Sequence, residues 1–283
     1  MVTGKHGTAR EKLLSLEAGA QLIPDGASLL LGGTTFNRKP MEFVRALVRA
    51  GVKDLRLYSF LGSMDVDLLV GADCAAATYC SYVGFELLGM APGFRRRAEA
   101  GKIRVWEHSE GTFINGLRAS AMGVPFLPAH ASFGSELLED LQLKMMDCPY
   151  TGQKVLACKA IHPDVAVLHA LRADPYGNTQ GPGIPDFLVD SDYMAARAAQ
   201  RVIVTVEEVV SPEEIRRCPE RTVLFHYEVE AVVHAPRGAY PCGYMPLYAP
   251  DWAHLQMYVR SAGSEMSFQD YLKKHVLHDR VAG

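Results

Sequence analysis

The chain has 283 residues, and its 48% hydrophobic and 22% charged residues match soluble globular proteins with a sizeable core. The net charge of −3 argues against nucleic acid as the main partner, because nucleic-acid-binding surfaces are usually basic. No apolar run approaches the roughly 20 residues of a membrane span, and the polar residues 1–12 contain no signal-peptide core, so we expect no membrane association.

The first predicted elements lead into a strand that ends in glycines. Residues 8–21 have the spacing of an amphipathic helix with leucines on its apolar side. A turn at residues 24–26 precedes residues 27–31, which are apolar, too few for a helix and bounded by breakers, as in a buried strand. Helical spacing follows over residues 41–50, so this part of the chain predicts a strand, a loop and a helix.

The loop between that strand and helix is the first candidate site. Gly32 and Gly33 have no Cβ, so the backbone can turn sharply and a ligand can come close. Arg38 and Lys39 are then predicted to place two cations at the mouth of the loop. Ligands of open α/β sheets bind at the carboxyl ends of strands, where this loop lies. A plain strand-to-helix turn is the alternative explanation of the same residues.

Predicted strands and helices alternate through the rest of the chain. Predicted strands occupy residues 55–61, 74–82, 102–107, 154–160, 165–170, 201–206 and 229–235. Predicted helices occupy residues 113–122 and 191–200, a segment beginning at Ser211, and two segments after Asp251. Residues 62–65 and 181–185 are predicted loops, residues 125–128 a rigid connector, and Arg95, Arg96 and Arg97 a solvated helix face. The alternation predicts one α/β domain over residues 1–283, with a largely parallel central sheet flanked by helices.

Residues 25–40 carry a family signature, which is Asp-Gly, two residues, three apolar residues, Gly-Gly, and a proline a few residues on. This pattern resembles that of class I coenzyme A transferases. Its Gly-Gly-x-x-x-x-Arg-Lys-Pro form resembles the A (alpha) subunit of glutaconate CoA-transferase, although Thr34 stands where the signature usually has phenylalanine. Residues 123–128, 204–217 and 235–239 resemble further parts of the same polypeptide in the same order. The resemblance implies a CoA-transferase-like fold.

Members of this family use a glutamate carboxylate that attacks an acyl-CoA thioester and then carries CoA as a glutamyl thioester. In two-chain members the glutamate lies on the B (beta) subunit, and 283 residues leave no room for a fused second half. The resemblance therefore implies an A subunit that works with a B subunit, in an α2β2 complex, on an acyl-CoA and a carboxylic or dicarboxylic acid. Coenzyme A thioester is then a substrate, and no permanently bound cofactor is implied. Gly32, Gly33, Thr34 and Arg38 are implied as the oxyanion and substrate loop.

Glu110 is the second candidate, as a catalytic residue. It lies in Ser109-Glu110-Gly111, after a predicted strand and before a predicted helix. Residues 110–128 resemble the A subunit of the ring-cleaving CoA-ester hydrolase of bacterial steroid degradation, in which the glutamate at this place is the catalytic acid or base. An acyl-CoA hydrolase or a decarboxylase on the same two-chain scaffold is therefore the alternative function. A solvated carboxylate or helix N-cap partner is the alternative role for Glu110.

The other polar residues predict no metal site. His162 and His169 do not follow a helical i, i+4 pattern, and His169, at the end of a core strand, is predicted to be a hydrogen-bonded structural residue. No cysteine or second histidine completes a zinc set around His108. The six cysteines show no Cys-x-x-Cys spacing, so we expect reduced thiols and a cytoplasmic location.

Two further functions receive little support. Gly181-Pro182-Gly183 is not a dinucleotide fingerprint, because proline intervenes and no helix is predicted to follow. Related α/β folds also bind sugar phosphates in transcription regulators. Such a regulator needs a basic helix-turn-helix segment, and the polar N-terminus is too short to hold one.

Overall fold

The computed structural model of the protein describes residues 10–130, 133–182 and 189–277. Its strands are β1 (Leu13–Leu14), β2 (Ser28–Thr34), β3 (Leu55–Gly62), β4 (Ala75–Val83), β5 (Arg104–Glu107), β6 (Phe126–Ala129), β7 (Lys144–Asp147), β8 (Lys154–Lys159), β9 (Val165–Ala173), β10 (Thr179–Gln180), β11 (Arg201–Val209), β12 (Thr222–Leu224) and β13 (Ala231–His234). Its helices are α1 (Leu16–Ala20), α2 (Met41–Ala50), α3 (Met64–Gly71), α4 (Pro92–Glu99), α5 (Glu110–Ala121), α6 (Leu137–Asp140), α7 (Val189–Ala198), α8 (Pro212–Arg217), α9 (Trp252–Ser261) and α10 (Glu265–His275). None of these helices is long and apolar enough to cross a membrane.

A largely parallel sheet forms the centre of the fold, as predicted. Its strands lie in the order β1-β13-β11-β9-β2-β3-β4-β5, and every neighbouring pair in that order is parallel. The short β10 pairs antiparallel with β9 and β12. Residues 165–168 of β9 are buried, which explains why the central strand reads as a continuous apolar run.

Helices cover both faces of the sheet, and the connections change face between two neighbouring strands. Alternate residues of β2 face opposite ways, so that Leu29 and Leu31 pack with α2, α3, α9 and α10, and Leu30 packs with α5 and α7. β2 leads into α2 on the first face, whereas the neighbouring β9 leads towards α7 on the second. Ligands of open α/β sheets bind outside the carboxyl ends of strands at such a switch point. The fold therefore places a crevice at the ends of β2 and β9.

The predicted helix over residues 8–21 is wrong in its first half. Leu13–Leu14 forms β1, which pairs with Val232 and Val233 of β13. The helix begins only at Leu16, where the Ser15 side chain accepts a hydrogen bond from the Ala18 N–H. Pairing with the sheet edge has overridden the helical spacing of the leucines, and residues 8 and 9 lie outside the described ranges.

The predicted loop at residues 62–65 is also wrong, because α3 begins at Met64. All eight residues of α3 are buried, including Asp65 and Asp67. A helix that is buried all round has no amphipathic periodicity, so the spacing of its residues gives no signal. Of the predicted loop at residues 181–185, residues 183–185 lie outside the described part of the chain.

A second, three-stranded antiparallel sheet was not predicted. Its order is β6-β8-β7. The predicted connector at residues 125–128 is mostly strand β6, and the predicted strand over residues 154–160 is β8 of this sheet rather than part of the central one. Pro128 is compatible with strand structure here because β6 lies at the edge of the sheet.

The arginine cluster is only partly a solvated helix face. Arg95 is exposed on α4 and pairs with Glu99 at 2.7 Å. Arg97 is 8% exposed, and its Nη2 lies 2.6 Å from Oδ2 of Asp73. The prediction therefore holds for Arg95 and is wrong for Arg97, which lies against the core.

Candidate active site

The loop that follows β2 is held in an unusual backbone conformation. The Thr34 N–H donates to the Asn37 carbonyl at 2.9 Å and the Asn37 N–H to the Thr34 carbonyl at 2.7 Å, which closes a tight turn. Gly33, Thr35 and Arg38 have φ angles of +75°, +39° and +59°. A non-glycine residue in this region costs on the order of 1–2 kcal/mol, and such strain concentrates at functional sites. The conformation therefore supports a functional loop over a plain connecting turn.

Gly33 is the residue that permits the turn. A Cβ on Gly33 would lie 2.6 Å from the Arg38 carbonyl carbon and oxygen and 2.6 Å from the Asn37 oxygen, so only glycine fits without a shift. The Gly33 N–H donates to Oδ1 of Asp192 at 2.6 Å. That N–H already has an acceptor, so an oxyanion contact from Gly33 stays a prediction that requires Asp192 to move. At Gly32 a Cβ would meet Leu168 at 2.4 Å, which also excludes a side chain.

Arg38 and Lys39 do not lie at the mouth of the loop, and that prediction is wrong. Arg38 is 1% exposed, and its Nε lies 2.9 Å from Oδ2 of Asp192. Lys39 is 0% exposed, and its Nζ lies 2.9 Å from Oδ2 of Asp65. Buried charges require partners, and two buried aspartates supply them. Arg38 and Lys39 therefore anchor the loop from below.

Further hydrogen bonds fix the loop to the neighbouring segments. The Thr35 N–H donates to the Leu61 carbonyl of β3 at 3.0 Å, and the Ser63 hydroxyl donates to the Thr35 carbonyl. The Arg38 N–H donates to the Gly243 carbonyl at 2.9 Å, and the Gly243 N–H returns a bond of 2.7 Å to Phe36. Thr34, Thr35 and Asn37 are only half-buried, so the loop presents these polar side chains on a fixed backbone.

A buried polar cluster lies beside the crevice at the switch point. His169 Nδ1 lies 2.8 Å from Thr205 Oγ1, and Nε2 lies 2.8 Å from Glu207 Oε1, which confirms the hydrogen-bonded structural role predicted for His169. The Tyr248 hydroxyl and the Arg237 N–H also donate to Glu207. Burial raises the pKa of Glu207, but the bonds from His169, Tyr248 and Arg237 outweigh it and lower the pKa overall. Sequence reasoning missed this role of Glu207, since it placed the residue after the strand.

Glu110 is the exposed first residue of α5, three residues before the predicted start of that helix. The Ser109 side chain caps the helix by accepting the Thr112 N–H at 3.2 Å. β5, which precedes Glu110, lies three strands from β2, which is about 14 Å at the usual strand spacing. The structure therefore brings Glu110 and the Gly33 loop to the same edge of the sheet but not into contact.

A cavity of about 530 Å³ lies beside the start of α5. Its walls include His108 and Thr112, which flank Glu110 in sequence, and the aromatic residues Tyr58, Tyr79 and Trp106 of β3, β4 and β5. The two tyrosine rings are stacked 4.5 Å apart. Burial lowers the pKa of His108 to about 4, so its imidazole is neutral at neutral pH. The sequence did not reveal this cavity, because cross-strand neighbours are set by register.

No group of three or more His, Cys, Asp or Glu side chains in the described ranges could hold a metal ion. The candidate chemistry thus rests on the fixed loop at the end of β2, the carboxylate at the start of α5, and the surfaces around them.

Comparison with known proteins identifies the family. The family model for coenzyme A transferase matches residues 14–235. An uncharacterized protein of Archaeoglobus fulgidus is 37% identical over 262 residues, 92% of this chain, which spans only 58% of that protein. The alpha chain (A) of the glutaconate CoA-transferase of Acidaminococcus fermentans is 32% identical over 94% of this chain and 88% of its own. The cholesterol ring-cleaving hydrolase IpdA subunit of Rhodococcus jostii is 30% identical, with 94% and 92% covered.

Solved structures agree with these matches. The structure of glutaconate coenzyme A-transferase from Acidaminococcus fermentans superposes with a TM-score of 0.89 at 31% identity, over 95% of this chain and 90% of that one. A variant of the decarboxylase AibA/AibB gives a TM-score of 0.80 at 33% identity, over 94% and 100% of the two chains. The chain therefore belongs to the coenzyme A transferase family and resembles the A subunits of its members along nearly its whole length.

Proposed function

We propose that this chain is the A subunit of a two-chain CoA-transferase that moves CoA between an acyl-CoA and a carboxylic acid, in particular a dicarboxylic acid. The observation that carries the proposal is the strained, doubly anchored loop from Gly33 to Arg38, at the switch point of a chain that matches the A chain of a glutaconate CoA-transferase over nearly its whole length. The partner would be a B subunit, in an α2β2 complex in the cytoplasm.

In this proposal the two chains divide the chemistry. The B subunit supplies the glutamate that attacks the thioester, and covalent capture splits one difficult transfer into two easier steps. This chain supplies the rigid wall against which the thioester is oriented, with Thr34 and the neighbouring polar side chains facing the substrate. Asp192 and Asp65 hold that wall in place through Arg38 and Lys39. Fixed geometry of this kind lowers the barrier because the reacting groups need no reorganisation.

The purified chain by itself is expected to turn over no acyl-CoA, whereas co-expression with its B subunit is expected to give a stable, active complex. The reason is that the nucleophile lies on the partner. A spectrophotometric assay of thioester exchange on both preparations, with size-exclusion chromatography for the stoichiometry, checks this. Robust turnover by the single chain would contradict the proposal.

A hydrolase or decarboxylase on the same scaffold is the second candidate. Glu110 favours it, because this carboxylate is exposed at a helix start beside the 530 Å³ cavity, and similar chains act in a ring-cleaving hydrolase and in a decarboxylase. In that case Glu110 would transfer a proton as general acid or base, and no glutamyl thioester would form.

Glu110→Gln separates the two functions. In a transferase the amide keeps the shape of the side chain, so we expect less than a tenfold loss of kcat. If Glu110 is the general acid or base, the loss is expected to be ~10²–10⁴-fold, with acyl-CoA binding retained. Glu99→Gln, on the exposed face of α4, serves as the control and should leave kcat unchanged.

The same preparations test for the covalent intermediate. Incubation of the complex with acyl-CoA and then borohydride should reduce one glutamate, and peptide mass mapping should place it on the B subunit. A nearly inactive Glu110→Gln enzyme without a reduced glutamate on the partner would overturn the transferase in favour of the hydrolase.

A further inference from the structure

Large exposed apolar side chains surround the Gly33 loop. Leu87, Met90, Met245, Leu247 and Trp252 have exposed fractions of 103%, 64%, 49%, 52% and 53%. We call these five residues the carboxyl-edge rim. Contiguous apolar surface of this kind is uncommon on a protein that functions alone, and it marks interaction sites.

Leu87 and Met90 attach to one side of the loop. The side chains of Thr35 and Glu86 meet at 3.4 Å, which places the neighbouring Leu87 next to the loop. Met90 pairs with Gly84 in an isolated bridge directly after β4. Glu86 has a φ of +49°, so the segment that projects Leu87 is itself in a strained conformation.

Met245, Leu247 and Trp252 attach to the other side. The Met245 N–H donates to Oδ1 of Asn37 at 3.0 Å. The Trp252 ring packs edge-on against Phe36 of the loop, with 5.2 Å between the ring centroids. The five rim residues therefore border one polar centre, formed by the half-buried side chains of the loop.

We propose that the carboxyl-edge rim is the docking surface of the B subunit, an inference that rests on the proposed function. A protein seated on the rim covers the loop and brings its own residues against it. The transferase site requires a glutamate from the partner at this place, so the partner that completes the site must contact the surface that borders it. A second copy of this chain would cover the rim without supplying that group.

The composition of the rim fits a lasting interface. Two methionines, a leucine pair and a tryptophan around a polar centre match the enrichment of methionine and aromatic residues in interface cores. Their exposure also means that each can be changed in the free chain without disturbing its core. Loss of docking can thereby be separated from loss of folding.

Leu87→Asp and Met90→Asp test the proposal in the full-length chain. Each is expected to raise the Kd for the purified B subunit, measured by isothermal titration calorimetry, by about 30-fold or more, the effect of a hot-spot residue. Met266→Asp is the matched control, because Met266 is 79% exposed on α10 and lies outside the rim. Its Kd should stay within about threefold of the unsubstituted value. Leu87→Ala should weaken docking in the same direction by a smaller factor.

The outcomes separate this surface from the proposed function. If the unsubstituted chain binds the B subunit and all variants bind equally well, the rim is not the docking surface, while the proposed function stands. If the unsubstituted chain does not bind the B subunit, the proposed function fails. If the isolated chain forms a dimer that Leu87→Asp dissociates, the rim belongs to a second copy and the inference is overturned. Thermal unfolding of each free variant should match that of the unsubstituted chain.

Discussion

Asp192→Asn is expected to lower the free energy of unfolding by about 3–5 kcal/mol, as removal of one partner of a buried ion pair usually does. Arg38 and Asp192 pair at 2.9 Å with side chains only 2% and 7% exposed. Asp192 also accepts the Gly33 N–H through its other oxygen. The asparagine amide offers only one acceptor oxygen, so one of the two donors would face an NH₂ group, and the Arg38 charge would lose its counter-charge.

Urea unfolding of the free chain measures this effect, with Glu99→Gln as the control. The Arg95–Glu99 pair is equally short, 2.7 Å, but its side chains are 54% and 63% exposed, so its loss should cost no more than about 0.5 kcal/mol. A loss below about 1 kcal/mol for Asp192→Asn would show that the pair does not hold the loop. In the assembled enzyme, a lower kcat at temperatures where the variant is still folded would show that the anchor also positions the active loop.

The sequence contained enough local information to predict the loop, but not its anchors. Turn residues before β2 and glycines after it predicted where the strand ends and where the backbone turns, because both signals come from adjacent residues. Arg38 was wrongly predicted at the surface because its partner Asp192 lies 154 residues away in the chain. A buried cation and an exposed one have the same local sequence pattern, and only the fold distinguishes them.

The errors in the fold have the same origin. The leucines at 13 and 14 fit a helix by spacing, yet they pair with β13, more than two hundred residues further on. α3 was missed because burial on all sides removes the contrast between apolar and polar faces. The central parallel strands, in contrast, were predicted nearly to their ends, since each is a short apolar run bounded by turn residues. The location of Glu110 at a helix start was within the reach of local signals, but its separation from the Gly33 loop depended on strand order.

Gly33→Ala is expected to reduce kcat of the assembled enzyme by about 100-fold, the usual cost of misplacing a site by 1 Å. The new Cβ would lie 2.6 Å from the Arg38 and Asn37 backbone, closer than non-bonded atoms approach, so the turn must open. Opening the turn weakens the bond from the Gly33 N–H to Asp192, which costs about 1.5–3 kcal/mol for a charged acceptor. The positive φ adds about 1–2 kcal/mol of backbone strain.

Gly26→Ala is the matched control, because it separates backbone strain from crowding. Gly26 has a φ of +73°, nearly equal to the +75° of Gly33, but a Cβ on Gly26 would meet no atom within 4 Å. Both variants therefore carry the same strain, and only Gly33→Ala disturbs the loop. We expect Gly26→Ala to lose about 1–2 kcal/mol of stability with normal kcat. If the two variants lost stability equally and both retained kcat, the Gly33 turn would be a structural connection, and the transferase site would have to lie elsewhere on the carboxyl edge of the sheet.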